Sequence, residues 1–234
     1  MSSNRLLTGL SRADFRLLEP HLEAVELPVR KVLATRNKRV ADVYFPESGI
    51  ASVVANGERE LEIGMIGREG MTGVSVVLGD NERAPHQTYM QVAGHGQRLS
   101  ADHLREAMVA SISLNKTLLH YVHTFMKQST ETALANGRHK IEERLARWLL
   151  MADDRLDGHE LPLTQEFLAC MLGIARPGVT VAIQELERRG WITHRRGVVL
   201  IIDREGLEKS SNGAYVPSNN NHSNNNKKVG ALDF

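Results

Sequence analysis

The stretch from Leu161 to Gly190 constrains this chain more than any other, because it carries the punctuation of two helices joined by one tight turn. Thr164 stands where a helix N-cap accepts a backbone N–H, and Gly173 where a helix ends in the left-handed conformation that glycine adopts most cheaply. Pro177 suits the first turn of a second helix, where its missing N–H leaves no bond unmade, and Gly190 closes that helix. Val179, Ile183 and Leu186 recur at i, i+4 and i+7 as a buried stripe, and small Ala169 lets the two helices cross closely.

The other face of the second helix carries Arg176, Thr180 and Gln184, again four apart. Such side chains read base edges: arginine donates two bonds to guanine, glutamine pairs with adenine, and a threonine methyl meets the thymine methyl. A solvated surface helix uses the same residues, and their place directly after the turn favours nucleic-acid contact. Trp191 to Ile202 then reads as a hairpin turning at Arg195-Arg196-Gly197, a wing whose arginines would lie on phosphates. Formal net charge is only +1, so positive charge has to be local. From Gly173 to Gly197 it is, with five arginines (176, 188, 189, 195, 196) against Glu185 and Glu187.

The rest of the chain supplies a scaffold. With 234 residues and 41% hydrophobic content it can bury a sizeable core. Leu7, Leu10, Phe15, Leu18 and Leu22 mark an amphipathic helical start. From Leu27 to Leu99 short β-branched runs follow, at Ile50–Ala55, Leu61–Ile66, Val74–Leu78 and Thr88–Val92, separated by turns such as 45–49 and 79–81. Alternation in Leu61-Glu62-Ile63-Gly64-Met65 predicts a strand with one wet face, and the set predicts a small sandwich or jelly-roll barrel over 1–108. Glycine and proline then vanish up to Gly137, and Leu118, Val122, Phe125, Ser129, Thr132 and Asn136 form a heptad seam on a helix over 109–137. That seam is expected at a dimer interface, the alternative being packing on the chain's own barrel. Residues 138–209 form the helix-turn-helix unit, and the asparagine-rich 210–234 is expected to be a disordered tail.

These motifs carry a resemblance. The runs 144–150 and 161–169, then Leu172-Gly173, Arg176-Pro177 and Val179-Thr180-Val181, resemble the C-terminal domain of the Crp/Fnr family of bacterial regulators. The likeness extends to the N-terminal half through 43–49 and 67–71. It implies an α+β protein: an N-terminal β jelly roll (a double-stranded β-helix of the cyclic-nucleotide-binding type), a long dimerisation helix and a C-terminal winged helix-turn-helix. The function it implies is that of a homodimeric transcription regulator on two-fold symmetric double-stranded DNA, with RNA polymerase as a further partner left open. Residues expected at the DNA are Thr164, Gln165, Arg176, Gly178, Thr180, Val181, Gln184, Arg195 and Arg196.

The chain departs from the family in two places. Arg68-Glu69-Gly70-Met71-Thr72 and Arg83-Ala84-Pro85-His86 stand where cyclic-nucleotide binders hold ribose and phosphate, but the arginine is displaced and its hydroxyl neighbour missing. A cyclic nucleotide is therefore not the expected effector, and Glu69 reads as a turn residue. Pro177, Gly178 and Val181 replace polar readers, so the family's target sequence does not transfer. Neither a metal nor another cofactor is expected, although ten histidines leave haem open. Cys170 alone can build neither an internal disulfide nor a cysteine-ligated cluster. Catalysis is not expected, since no nucleophile has a recognisable setting and 64–73 lacks a phosphate loop's Lys-Ser or Lys-Thr. A competing reading makes the barrel a metal- or ligand-binding module whose helix-turn-helix contacts protein. With neither a signal run nor roughly 20 consecutive apolar residues, the expected location is the cytoplasm, with no membrane partner.

Overall fold

The computed structural model describes residues 2–56, 60–79 and 83–217. Two short helices, α1 (Arg5–Thr8) and α2 (Arg12–Leu18), open the chain. Buried Asn4 caps α1 by accepting the Leu7 N–H at 3.1 Å, and its amide donates to the carbonyls of Pro46 (2.7 Å) and Gly70 (2.9 Å), pinning α1 to the barrel. Seven strands follow: β1 (Glu23–Leu27), β2 (Val32–Ala34), β3 (Asp42–Pro46), β4 (Ile50–Asn56), β5 (Glu60–Ile66), β6 (Gln87–Val92) and β7 (Gly94–Ser100). They form two antiparallel sheets, β1-β7-β3 and β2-β6-β4-β5. Leu27, Leu33, Tyr44, Ala51, Val53, Ile66 and Met90 make one apolar cluster from strands of both sheets, as the jelly-roll expectation requires.

One expected strand is a helix. Val74–Leu78 forms α3, set between Gly73 and Gly79, both in the left-handed region at φ 79° and 71°. Its β-branched residues favour a strand locally, but Val76 and Val77 are buried in the cluster that joins the long helix to the barrel. Tertiary burial overrides propensity here. Of the turn expected at 79–81, Asp80 and Asn81 lie outside the described residues.

The segment after the barrel is two helices, α4 (Ala101–Ala110) and α5 (Ile112–Arg138), parted at Ser111, whose hydroxyl caps α5 by accepting the Leu114 N–H. The heptad seam turns out to face the protomer. Leu118 and Val122 are buried against α1–α3 and the barrel. Phe125 presses on Gly64 so closely that a Cβ there would sit 2.5 Å from its ring, with Ser129 beside it. Thr132 accepts a bond from Arg147, and Asn136 lines a cleft beside Arg144 and Trp148. The seam placed at a dimer interface is thus covered by its own protomer, from Leu118 to Ser129 by the N-terminal half and at Thr132 and Asn136 by the C-terminal unit; periodicity reveals an apolar stripe without naming what covers it. A second stripe is uncovered: Ile112, Leu119 and Met126, seven apart, are 75%, 44% and 59% exposed, and Leu134 continues it.

The C-terminal unit comprises α6 (Ile141–Asp153), β8 (Glu160–Leu161), α7 (Gln165–Leu172), α8 (Arg176–Arg188), β9 (Ile192–Arg195), β10 (Val198–Ile201) and α9 (Arg204–Ser210). Its strands pair in the order β8-β10-β9. The segment expected to begin a disordered tail extends this unit instead. Ala214 and Tyr215 are buried, and the Tyr215 hydroxyl accepts from Arg204 (2.9 Å) and donates to Asp154 (2.7 Å). The asparagine-rich run from 218 lies outside the described residues.

Candidate nucleic-acid interface

Helix α7 starts as its sequence requires, with the Thr164 hydroxyl accepting the Phe167 N–H at 3.2 Å. It ends at Gly173, φ 63°, where the Gly173 N–H reaches the Cys170 carbonyl (3.1 Å) and the Ile174 N–H reaches Ala169 (3.0 Å). This pair of bonds is the Schellman closure, and it needs a left-handed residue at that position. From α7 to α8 the chain turns by 105°, within the range of helix-turn-helix units.

Helix α8 buries Val179, Ala182, Ile183 and Leu186. With 3.6 residues per turn, the opposite face centres on Pro177, Val181, Gln184 and Arg188, all exposed. Arg176 is exposed at the first turn. Thr180, expected in line with Arg176 and Gln184, sits on the flank, its hydroxyl 3.1 Å from both Gln165 Oε1 and the Arg176 carbonyl, so Thr180 and Gln165 brace the two helices. Gly178 turns inward, where a Cβ would lie 3.4 Å from Ile174 and 3.7 Å from Ile141.

The wing is present. Arg195 pairs with Val198, leaving a two-residue turn of Arg196 (φ 51°) and Gly197 (φ 79°), the twist that suits a tight hairpin. A Cβ on Gly197 would stand 3.5 Å from the Thr164 methyl, so the wing tip lies at the start of α7. Charge is distributed less evenly than a count implies. Glu185 accepts two bonds from Arg188 at 2.9 Å and one from Arg189 at 2.5 Å, and these arginines hold its carboxyl down at about 2. Arg189 also stands over the Trp191 ring at 5.0 Å. Sequence reading overlooked this clamp, although its i, i+3 and i, i+4 spacing is the signal of helix-surface ion pairs. Arg176, Arg195 and Arg196 have no acidic partner among the described residues.

The unit is anchored on the outer face of the β2-β6-β4-β5 sheet. Trp148 of α6 donates its indole N–H to Glu62 of β5 at 2.7 Å, and Ser52 bonds the same carboxyl. Glu62, expected on a wet face, is buried because the C-terminal unit covers that face. Burial raises its carboxyl to about 7 against the opposing pull of Ser52, Trp148, Arg155 and Arg147. Around it, Arg155 pairs with Glu69 (2.8 Å), Arg68 with Asp157 (2.7 Å), and Tyr89 meets the Phe167 ring edge-on at 6.4 Å. Cys170 lies 3.5 Å from Glu60, and burial raises its thiol to about 11, so it stays protonated at neutral pH. Glu69 also accepts the Gly67 N–H, as a turn residue does, while Arg83 donates to the Asn37 carbonyl. Among the described residues, no three His, Cys, Asp or Glu side chains converge on a metal-sized site, and no single helix is long and apolar enough to cross a membrane.

Residues 143–210 match the family model of the Crp-like helix-turn-helix domain. The C-terminal unit is a Crp-like helix-turn-helix domain, a DNA-binding module. Beyond it, the chain has the fold of solved Crp/Fnr regulators. A chain from Eubacterium rectale assigned to the Crp/Fnr family of transcriptional regulators superposes with a TM-score of 0.70 at 17% identity, over 88% of this chain and 97% of that one. FixK2 from Bradyrhizobium japonicum does so at 0.69 and 15% identity, over 80% and 96%. A CRP-family transcriptional regulator from Thermus thermophilus gives 0.66 and 17%, over 83% and 98%. None of the curated proteins matches the chain by sequence.

The anchor of the Crp-like domain is testable through Glu62. Its folded value lies above the ordinary carboxyl value of 4.5, so its contribution to stability is complete below that value and is lost as pH rises through about 7. Denaturant unfolding of wild type and Glu62→Gln should give a stability difference that shifts in favour of the variant by up to roughly 1.4 kcal/mol per pH unit across that window. A difference independent of pH would show that Glu62 does not hold its proton in the fold.

Proposed function

We propose that the protein is a transcription regulator that binds a two-fold symmetric promoter site as a homodimer, with α8 in the major groove and the wing on the flanking phosphates. The observation that carries this reading is the grouping of uncompensated arginines, Arg176, Arg195 and Arg196, around the exposed face of a Crp-like recognition helix. Arginines at the wing neutralise phosphates without reading sequence, while the front of α8 meets base edges. The similar folds of known transcriptional regulators support the same reading.

The dimer is assigned to the second stripe of α5. Ile112, Leu119, Met126 and Leu134 run as an exposed apolar stripe along a 27-residue helix, edged by Lys116, His123 and Thr130, and a second copy of that helix covers it with a two-fold axis. Two copies of α8 then address half-sites about 34 Å apart. The cytoplasm, where promoter DNA and RNA polymerase meet, is the place of action.

Binding should weaken as salt rises, and Arg195→Ala with Arg196→Ala should lower the slope of log affinity against log salt by about 2 while leaving the preferred sequence unchanged. A slope unchanged by the double variant would remove the wing from the DNA. In sedimentation, Leu119→Glu with Met126→Glu should convert a dimer into a folded monomer with sharply reduced duplex affinity; a dimer that persists would place the interface elsewhere.

A further inference from the structure

The make-up of the exposed α8 face says which bases it can accept. Its middle is Val181, 62% exposed, an apolar side chain held outward with nothing of the protein over it. Gln184, three residues on, shares that face and is exposed. Two further polar side chains of this helix are engaged, Thr180 by Gln165 and the Arg176 carbonyl, and Arg188 by both oxygens of Glu185, while Arg176 at the first turn is unpaired among the described residues. Gly178 faces Ile174 and Ile141.

Valine offers no hydrogen bond. Opposite a G·C pair it leaves the guanine acceptors or the cytosine amino group facing a methyl group, whereas the thymine 5-methyl is an apolar partner of matching size. A free glutamine amide matches the N7 and N6 edge of adenine with two bonds. Side chains three apart on a helix have Cβ atoms about 5–6 Å apart, and bases stack at about 3.4 Å, so the two residues address pairs one or two steps apart.

We infer that α8 specifies A·T pairs at the centre of each half-site, with Val181 packed on a thymine methyl and Gln184 paired to an adenine one or two steps away. This rests on the proposal that α8 enters the major groove. Arg176, at the first turn, contacts the outer edge of the same half-site. Glu185 keeps Arg188 from adding a guanine contact at the far end.

The test is selection of binding sites by the full-length protein from a randomised duplex, followed by atom-level changes in the winning site. A·T pairs should dominate the centre of both half-sites. Replacing the contacted thymine by uracil, which removes only the methyl, should weaken binding about fourfold, and Val181→Ala should abolish that sensitivity. Substituting 7-deazaadenine at the second position should cost wild type roughly tenfold and Gln184→Ala nothing further. A two-fold sequence with G·C at these positions, or indifference to uracil, would overturn the inference and leave DNA binding intact. Failure to select any sequence would overturn both.

Discussion

A helix can show one face to a partner only if the other is held, and the burial of Val179, Ala182, Ile183 and Leu186 of α8 is the contact on which the rest depends. Each such side chain contributes roughly 1.5–3 kcal/mol when fully buried, alanine less. Together they fix the rotation of α8 about its axis, and that rotation decides which side chains face outward. The turn at Gly173 sets the angle of α8 to α7, and the Thr180–Gln165 brace ties the two together. Outward presentation of Val181 and Gln184 is thus a consequence of core packing.

The same logic joins the two halves of the chain. Trp148, Glu62 and Ser52 form a buried polar contact in an otherwise apolar junction, ringed by the Arg155–Glu69 and Arg68–Asp157 pairs. A buried carboxyl that lost its donors would carry the full desolvation cost of an unsatisfied group, so the contact favours one arrangement of the Crp-like domain on the sheet. Leu61 fills the space beside Gly173, placing the helix-turn-helix turn directly on β5. Changes in the barrel therefore have a short path to α7 and α8.

Much of this was legible in the sequence wherever a local rule and tertiary packing agree. Thr164, Gly173, Pro177 and Gly190 punctuate the two helices as their chemistry demands, and the wing follows from the arginine-glycine turn. Strands β4, β5 and β6 fall where β-branched runs predict them. The failures share one cause, that a pattern does not name its partner. Val74–Leu78 looks like a strand but is buried as a helix, Glu62 looks exposed but is covered, and the seam closes on its own protomer, Leu118 to Ser129 on the N-terminal half and Thr132 and Asn136 on the C-terminal unit. Tyr215 shows the reverse case, a single aromatic anchoring a segment whose composition reads as disordered. Burial of α8 likewise shifts the outward line from Thr180 to Val181, a rotation that four-residue spacing alone does not resolve.

The central claim is that α8 is presented twice, one helical turn apart, to the major groove. Missing-base interference on a selected duplex measures this directly, because each removed base reports whether binding needs it. Two clusters of essential bases are expected, related by a two-fold axis and centred about 10 base pairs apart. A single cluster, or uniform tolerance along the duplex, would contradict it.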